Sequence, residues 1–173
     1  MSGSSFVEVA KLASELQLIV DKTIKPPSET APSAAEPVVY MAMIRSTRRG
    51  YLERLSHQIN GSYASGWYDA CAVMIRRLVE TLIIEVYETH GINAQIKDAA
   101  GNYWMLRDLV DAVLAEPTWT LGRATRKALP LIKDLGDKSA HNRRFTAHRE
   151  DVDKVLDGLR TTVQEFIYLA KLS

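Results

Sequence analysis

Apolar residues recur every three or four positions along nearly all of this 173-residue chain, and we find no convincing two-residue alternation. The middle of the chain shows the pattern best, with Cys71, Ile75, Leu78 and Leu82 on one stripe. This spacing predicts amphipathic helices, because side chains three and four positions apart share one face of a helix. We therefore expect an all-α protein, folded as an antiparallel bundle of five or six helices.

Proline divides the chain into three parts. Residues 25–37 hold four of the six prolines, a density that no helix tolerates. We therefore expect an N-terminal helical arm over residues 1–24, a proline-rich linker over 25–37 and a helical bundle over 38–173. Because one isolated helix is marginally stable in water, the arm is expected to dock on the body or on a partner chain.

Five helices are predicted within the bundle. They span residues 38 to about 59, about 65–89, about 103–115, a stretch that begins near Thr118 or Thr120, and about 150–172. Asn60 and Gly61 are expected to end the first of these, since both residues favour the left-handed conformation at a helix end. Pro130 lies inside the fourth and removes one backbone donor, so a kink or break is expected there.

Composition excludes several classes of protein. The longest uninterrupted apolar run, residues 38–44, is far shorter than the ~18 residues of a membrane span. The first residues also lack the basic and apolar regions of a secretory signal. Cys71 is the single cysteine, which excludes an internal disulfide and a cysteine-rich zinc site. We expect a cytoplasmic protein that does not contact a membrane, with Cys71 as a small core residue.

Charge is unevenly distributed behind a net value of +1. The stretch from residue 118 to 149 carries eight cations against Asp134 and Asp137, and these cations are Arg123, Arg126, Lys127, Lys133, Lys138, Arg143, Arg144 and Arg149. A second cluster, Arg45, Arg48, Arg49 and Arg54, opposes only Glu53. Local fields of this kind attract phosphates even on a neutral protein, because screening limits each charge to about 8–10 Å. Arginine-rich faces also serve protein interfaces, so a protein partner stays open.

Known catalytic motifs are absent from the sequence. No pair of histidines has the His-Glu-x-x-His spacing of a zinc enzyme, and no glycine-rich phosphate loop is present. The Gly-x-Ser-x-Gly elbow of serine hydrolases is missing as well. We therefore expect neither a metal nor another cofactor.

His141 is the candidate for acid–base chemistry because of its neighbours. Asp137 lies one helical turn before it, where a carboxylate would orient the imidazole. The candidate phosphate contacts of the same basic stretch are Lys138, Arg143, Arg144 and Arg126. Such a set can cleave RNA without a metal, with the imidazole moving protons and a guanidinium stabilising the charged transition state. An aspartate and a histidine at this spacing also form purely structural pairs, and the residues alone do not separate the two interpretations.

A polar stripe interrupts the apolar helix predicted over residues 65–89. Asp69, Arg76 and Glu80 fall on one side of it, at steps of seven and four. Charges in such surroundings must be paired, because an unpaired buried charge is costly. We expect the stripe to face the His141 segment, either as a structural network or as the wall of a site.

Three of these features together resemble a family. They are the segment Met74-Ile-Arg-Arg-Leu-Val-Glu80, the string Leu135-Gly-Asp-Lys-Ser-Ala-His141, and a closing amphipathic helix with acidic residues at its start. Over roughly residues 40–172, the chain resembles a bacterial domain of unknown function within the HEPN (higher eukaryote and prokaryote nucleotide-binding) superfamily. The resemblance implies a compact helical bundle that forms a homodimer. It also implies action on RNA, since many members are ribonucleases of toxin–antitoxin, abortive-infection and CRISPR systems.

The family motif is an arginine, a polar residue, about three arbitrary residues and a histidine, and two copies form one site across a dimer. In this chain the polar residue falls on Asp137 and the histidine on His141, but the arginine position falls on Gly136. Glycine supplies no charge to a transition state, and Arg143 or Arg144 can replace the arginine only if the chain turns back after His141. The resemblance thus implies an RNA-binding module or a metal-independent ribonuclease of a phage-defence or toxin–antitoxin system. The alternative is a catalytically inert, dimerising module that binds a partner protein.

Overall fold

A computed structural model of the chain describes residues 11–16 and 36–172. Residues 11–16 are helical, and the remainder of the expected arm and linker, up to residue 35, lies outside the described residues. The bundle contains seven α-helices: α1 (Met41–Ser46), α2 (Gly50–Ala64), α3 (Tyr68–Thr89), α4 (Leu106–Ala115), α5 (Arg123–His141), α6 (Arg149–Asp153) and α7 (Leu156–Leu169). A 3₁₀ helix, Asn93–Ile96, follows α3. No β-strand occurs in these two ranges, so the predicted all-α fold is confirmed.

Helix α3 is the centre of the bundle. It packs against α2, α5 and α7, and its side chains Ile75, Leu78, Leu82 and Val86 are completely buried. Each fully buried aliphatic side chain of this size contributes about 1.5–3 kcal/mol relative to an exposed one. The predicted apolar stripe of α3 therefore forms part of the core.

The predicted helix over residues 38–59 is wrong in its interior and at its end. Helix α1 stops at Ser46 because Arg48 adopts a left-handed conformation, with φ of 54°. The Thr47 hydroxyl stabilises this break, since it donates to the Ile44 carbonyl (2.6 Å) and accepts from the Arg49 amide (3.2 Å). At the other end, α2 continues past residue 61, and Gly66, with φ of 76°, terminates the turn that follows.

Two side chains hold the segment that precedes α1. The side-chain amide of Asn60 forms two hydrogen bonds with the backbone of Val39. It accepts from the Val39 N–H and donates to the Val39 carbonyl, both at 2.9 Å. The Arg160 guanidinium donates to the carbonyls of Pro37 (2.7 Å) and Val38 (3.3 Å). Val38 and Val39 are buried, and these bonds satisfy backbone groups that burial would otherwise leave unpaired.

Of the kink or break expected at Pro130, the break is wrong, because Pro130 lies inside α5, a continuous helix of 19 residues. Proline removes one backbone donor, but Leu129 and Ile132 are anchored in the core on either side of it. The predicted last helix, in contrast, is interrupted at residues 154–155 and forms α6 and α7. Gly158 brings α7 close to α5, since a Cβ at that position would lie 2.6 Å from the Cβ of Ala128.

Candidate functional site

The polar stripe of α3 meets α5 in a network of four charged side chains. Arg76 Nε donates to Asp137 Oδ1 (2.9 Å), and Arg76 Nη1 lies 3.5 Å from Glu80 Oε2. Lys133, one turn before Asp137, donates to Asp137 Oδ2 at 3.2 Å. Two cations therefore face two carboxylates, and the cluster carries no net charge.

Gly136 is the residue that allows this network to form. A Cβ on residue 136 would lie 2.6 Å from Arg76 Cβ and 3.1 Å from its Cγ and Cδ. The stem of Arg76 thus occupies the volume that a side chain at 136 would need, and its guanidinium reaches Asp137 on the next residue. Position 136 supplies no arginine, and the arginine beside Asp137 comes from the neighbouring helix α3.

Asp137 is held in its charged form by these contacts. Partial burial raises the pKa of the Asp137 carboxyl, but the hydrogen bonds and charges of Arg76 and Lys133 outweigh burial and hold the pKa below its usual range. Arg76 is only 17% exposed, so its guanidinium is committed to the two carboxylates. The arrangement is that of a structural network that locks α3 to α5.

His141 lies outside this network. It is the last residue of α5 and is exposed. Among the hydrogen bonds and ion pairs of the described residues, none joins His141 to Asp137, whose two oxygens bind Arg76 and Lys133. The geometry therefore gives Asp137 a different role from the expected one of orienting His141.

The chain turns directly after His141. The Asn142 side chain accepts from the Arg144 amide (3.0 Å), and the Asn142 carbonyl accepts from the Phe145 amide (3.2 Å). Asp69, at the start of α3, then accepts from the Ala147 amide at 3.0 Å. Asp69 is therefore not part of the Arg76 network, and it instead fastens the 142–148 segment to the first turn of α3.

The predicted phosphate contacts divide into two groups. Lys138 pairs with Asp134 at 2.7 Å, and Arg126 donates to the Leu114 carbonyl at 3.2 Å. Arg143 and Arg144 are exposed and make no side-chain hydrogen bond or ion pair within the part of the chain that the structure describes. Of the four predicted phosphate contacts, these two arginines are therefore the ones available for an anionic ligand.

An aromatic cluster near the same segment was not predicted. The Arg149 guanidinium lies over the Tyr63 ring, 5.6 Å from its centroid, and Nε donates to the Tyr63 hydroxyl at 3.1 Å. That hydroxyl also donates to Asp153, and Tyr68 contacts the Tyr63 ring edge-on. Trp67, which precedes α3, is 56% exposed. Sequence spacing offered no signal for this cluster, because residues 63 and 149 lie on elements that meet only in the folded chain.

The described residues contain no cluster of three or more metal-ligating side chains, and none of the described helices is long and apolar enough to cross a membrane. Cys71 is completely buried, and burial raises the pKa of its thiol to about 12. Its predicted place in the core is confirmed.

Comparison with known proteins gives one match. A family model described as a domain of unknown function (DUF4145) matches residues 57–173, about two thirds of the chain. No curated protein and no solved structure matches the chain. The matched residues include all of α3 to α7, and therefore both the Arg76 network and the segment after His141. The chain belongs to the DUF4145 family.

Proposed function

We propose that this protein is a HEPN-like module that binds single-stranded RNA at the end of α5. The surface, which we call the His141 surface, consists of His141, Arg143, Arg144 and Trp67. One observation carries the proposal: the hydrogen bond from the Ala147 amide to Asp69 fastens the segment that follows the two uncommitted arginines to the start of α3, two residues after the exposed Trp67.

Each part of the His141 surface suits this ligand. Guanidinium groups form strong, paired hydrogen bonds with phosphodiester oxygens. An exposed indole offers a stacking platform for an unpaired base, typically with about 1–3 kcal/mol per base. Bases are available for stacking in single strands and are not in a duplex. The resemblance to HEPN domains supports RNA as the polyanion and a phage-defence or toxin–antitoxin system as the setting.

The geometry favours binding over cleavage. A metal-independent ribonuclease needs an acid–base group and a cation that stabilises the transition state. His141 can supply the first, but Asp137 and Arg76 are committed to each other and Gly136 supplies nothing. Any cleavage would therefore depend on His141 with Arg143 or Arg144, and a homodimer would place two such sets together.

The test is a titration of a fluorescent single-stranded RNA, with EDTA present throughout, at several salt concentrations. We expect salt-sensitive binding that weakens in the Arg143→Ala/Arg144→Ala double variant and in Trp67→Ala. Loss of two phosphate contacts should reduce the slope of log K against log salt by about 1.4. A matched control is Arg45→Ala/Arg107→Ala, which removes two exposed arginines that pair with Glu53 and Asp108 elsewhere.

Three outcomes separate the readings. Binding without cleavage, lost only in the His141-surface variants, supports the proposal. RNA cleavage that disappears in His141→Ala would make the protein a ribonuclease of the same surface. Absence of both refutes the proposal and favours an inert, dimerising module that binds a protein partner, for which Leu131, 58% exposed on α5, is an available apolar contact.

A further inference from the structure

A groove between α2 and α3 lies among the described residues and has no part in the His141 surface. Its cavity volume is about 220 Å³, several times the roughly 30 Å³ that one water occupies in the liquid. The lining residues are Tyr51, Arg54, Leu55, Gln58, Arg77 and Thr81. Two arginines, one from each helix, thus border the same space.

Neither arginine has a carboxylate partner within the described ranges. The acidic residues nearest to them along the helices are already engaged: Glu53 pairs with Arg45 (3.1 Å), and Glu80 pairs with Arg76 (3.5 Å). Glu85, at the Tyr51 side of the groove, accepts from the Tyr51 hydroxyl and lies 4.0 Å from Arg49. Arg54 and Arg77 therefore form no ion pair among the described residues.

The two consecutive arginines on α3 lie in different environments. Arg76 packs against Gly136 and is neutralised by Asp137, whereas Arg77 is exposed and lines the groove. On α2, the Arg54 guanidinium extends back toward the start of the helix, with Nη1 3.7 Å from the Cβ position of Gly50. A glycine there leaves this guanidinium uncovered on that side.

The remaining lining defines the kind of ligand. The hydroxyls of Tyr51 and Thr81 are used internally, since the first donates to Glu85 and the second donates to the Arg77 carbonyl at 2.8 Å. The groups left to bind a ligand are therefore the two guanidiniums, which only donate, and the Gln58 amide, which can donate through its nitrogen. The Tyr51 ring and Leu55 add an apolar wall. Donors that carry two positive charges select an anion with several acceptor oxygens, and guanidinium pairs best with phosphate.

We infer that the α2–α3 groove is a phosphate-binding site, held by Arg54 and Arg77 and occupied by the phosphate of a nucleotide or of an RNA strand. The site is distinct from the His141 surface and is independent of the function proposed for that surface. It also gives the second arginine cluster of the sequence a role, through Arg54.

The test uses NMR of the full chain labelled with ¹⁵N, and follows the Nε–Hε signals of Arg54 and Arg77. Three probes are titrated separately: inorganic phosphate, 5′-AMP and a short single-stranded RNA. Variants are Arg54→Gln and Arg77→Gln, with Arg107→Gln as a control that removes an equal charge from an exposed site on α4. We expect saturable shifts of both signals, and affinity at least about tenfold weaker in each groove variant but not in the control.

The probes also identify the source of the phosphate. Saturation by inorganic phosphate or 5′-AMP indicates a small ligand, and saturation by RNA alone indicates the backbone of a polymer. The inference is overturned if no probe shifts these signals saturably, or if Arg107→Gln weakens binding as much as the groove variants do. Because Arg143→Ala/Arg144→Ala should leave the groove signals responsive, failure here is distinguishable from failure of the His141 surface.

Discussion

Gly136→Ala tests the packing that brings Arg76 to Asp137. The new methyl group would lie 2.6 Å from Arg76 Cβ, whereas non-bonded carbons prefer about 3.5–4.0 Å. Overpacking of this kind typically costs about 1–3 kcal/mol. Displacement of Arg76 also weakens its hydrogen bond to Asp137, a charged contact of the class worth about 1.5–3 kcal/mol, here toward the lower end because Asp137 is 31% exposed.

One effect opposes this cost. Replacing glycine with alanine inside a helix gains about 1 kcal/mol through the lower entropy of the unfolded chain. The net expectation is a loss of about 1–3 kcal/mol in the free energy of unfolding, measured by urea denaturation with circular dichroism at neutral pH. In a chain of this size, each kcal/mol lowers the melting temperature by about 2–4 °C.

Gly61→Ala is the matched control, since Gly61 is also helical and the added Cβ would meet no atom within 4 Å apart from its chain neighbours and the backbone of its own helix. It should stabilise the protein by about 0.5–1 kcal/mol, so that the two substitutions have opposite signs. Arg76→Gly removes the clashing Cβ. In that background, Gly136→Ala should raise the free energy of unfolding relative to Arg76→Gly alone. If Gly136→Ala is as stable as the wild type, the close packing of Gly136 against the Arg76 side chain is refuted.

Two further predictions concern titration. Because the pKa of Asp137 is lowered in the folded state, its contribution to stability is present above the unfolded value of about 3.9 and is lost as the pH falls through the folded value. Asp137→Asn should therefore lose stability at pH 7 and show a shallower decline between pH 5 and pH 2 in urea denaturation, and an unchanged acid decline would contradict this. The Cys71 thiol, whose pKa burial raises to about 12, should not react with a disulfide reagent at pH 8 until the protein unfolds. Rapid labelling of the native protein would show that the thiol is accessible.

The fold was predictable where a continuous apolar stripe coincides with one uninterrupted helix. The spacing of apolar residues placed α3 and the end of α4 correctly, because each buries one continuous stripe. The interruptions at residues 47–49 and 154–155 were missed for a physical reason. Apolar residues on both sides of each interruption remain in the core, so the pattern alone does not reveal a change of direction.

The candidate site was predictable in part. Helical spacing put Arg76 and Glu80 on one side of α3, and from that side Arg76 reaches Asp137 of α5. The partner of Asp137 was not predictable, because Lys133 and His141 lie on the same face of α5, one turn before and one turn after Asp137. One carboxylate oxygen binds Lys133, and Arg76, 61 residues away in sequence, binds the other.

The anchored segment before α1 belongs to the folded core, although it lies outside the residues that match the family. The family match begins at residue 57, in the middle of α2, whereas Val38, Val39, Ile44 and Leu52 are already part of the core. A fragment cut at residue 57 would remove those four side chains from the core, each worth about 1.5–3 kcal/mol, against a typical total stability of 5–15 kcal/mol. The smallest fragment that folds by itself should therefore begin near residue 36, where Arg160 and Asn60 secure the chain.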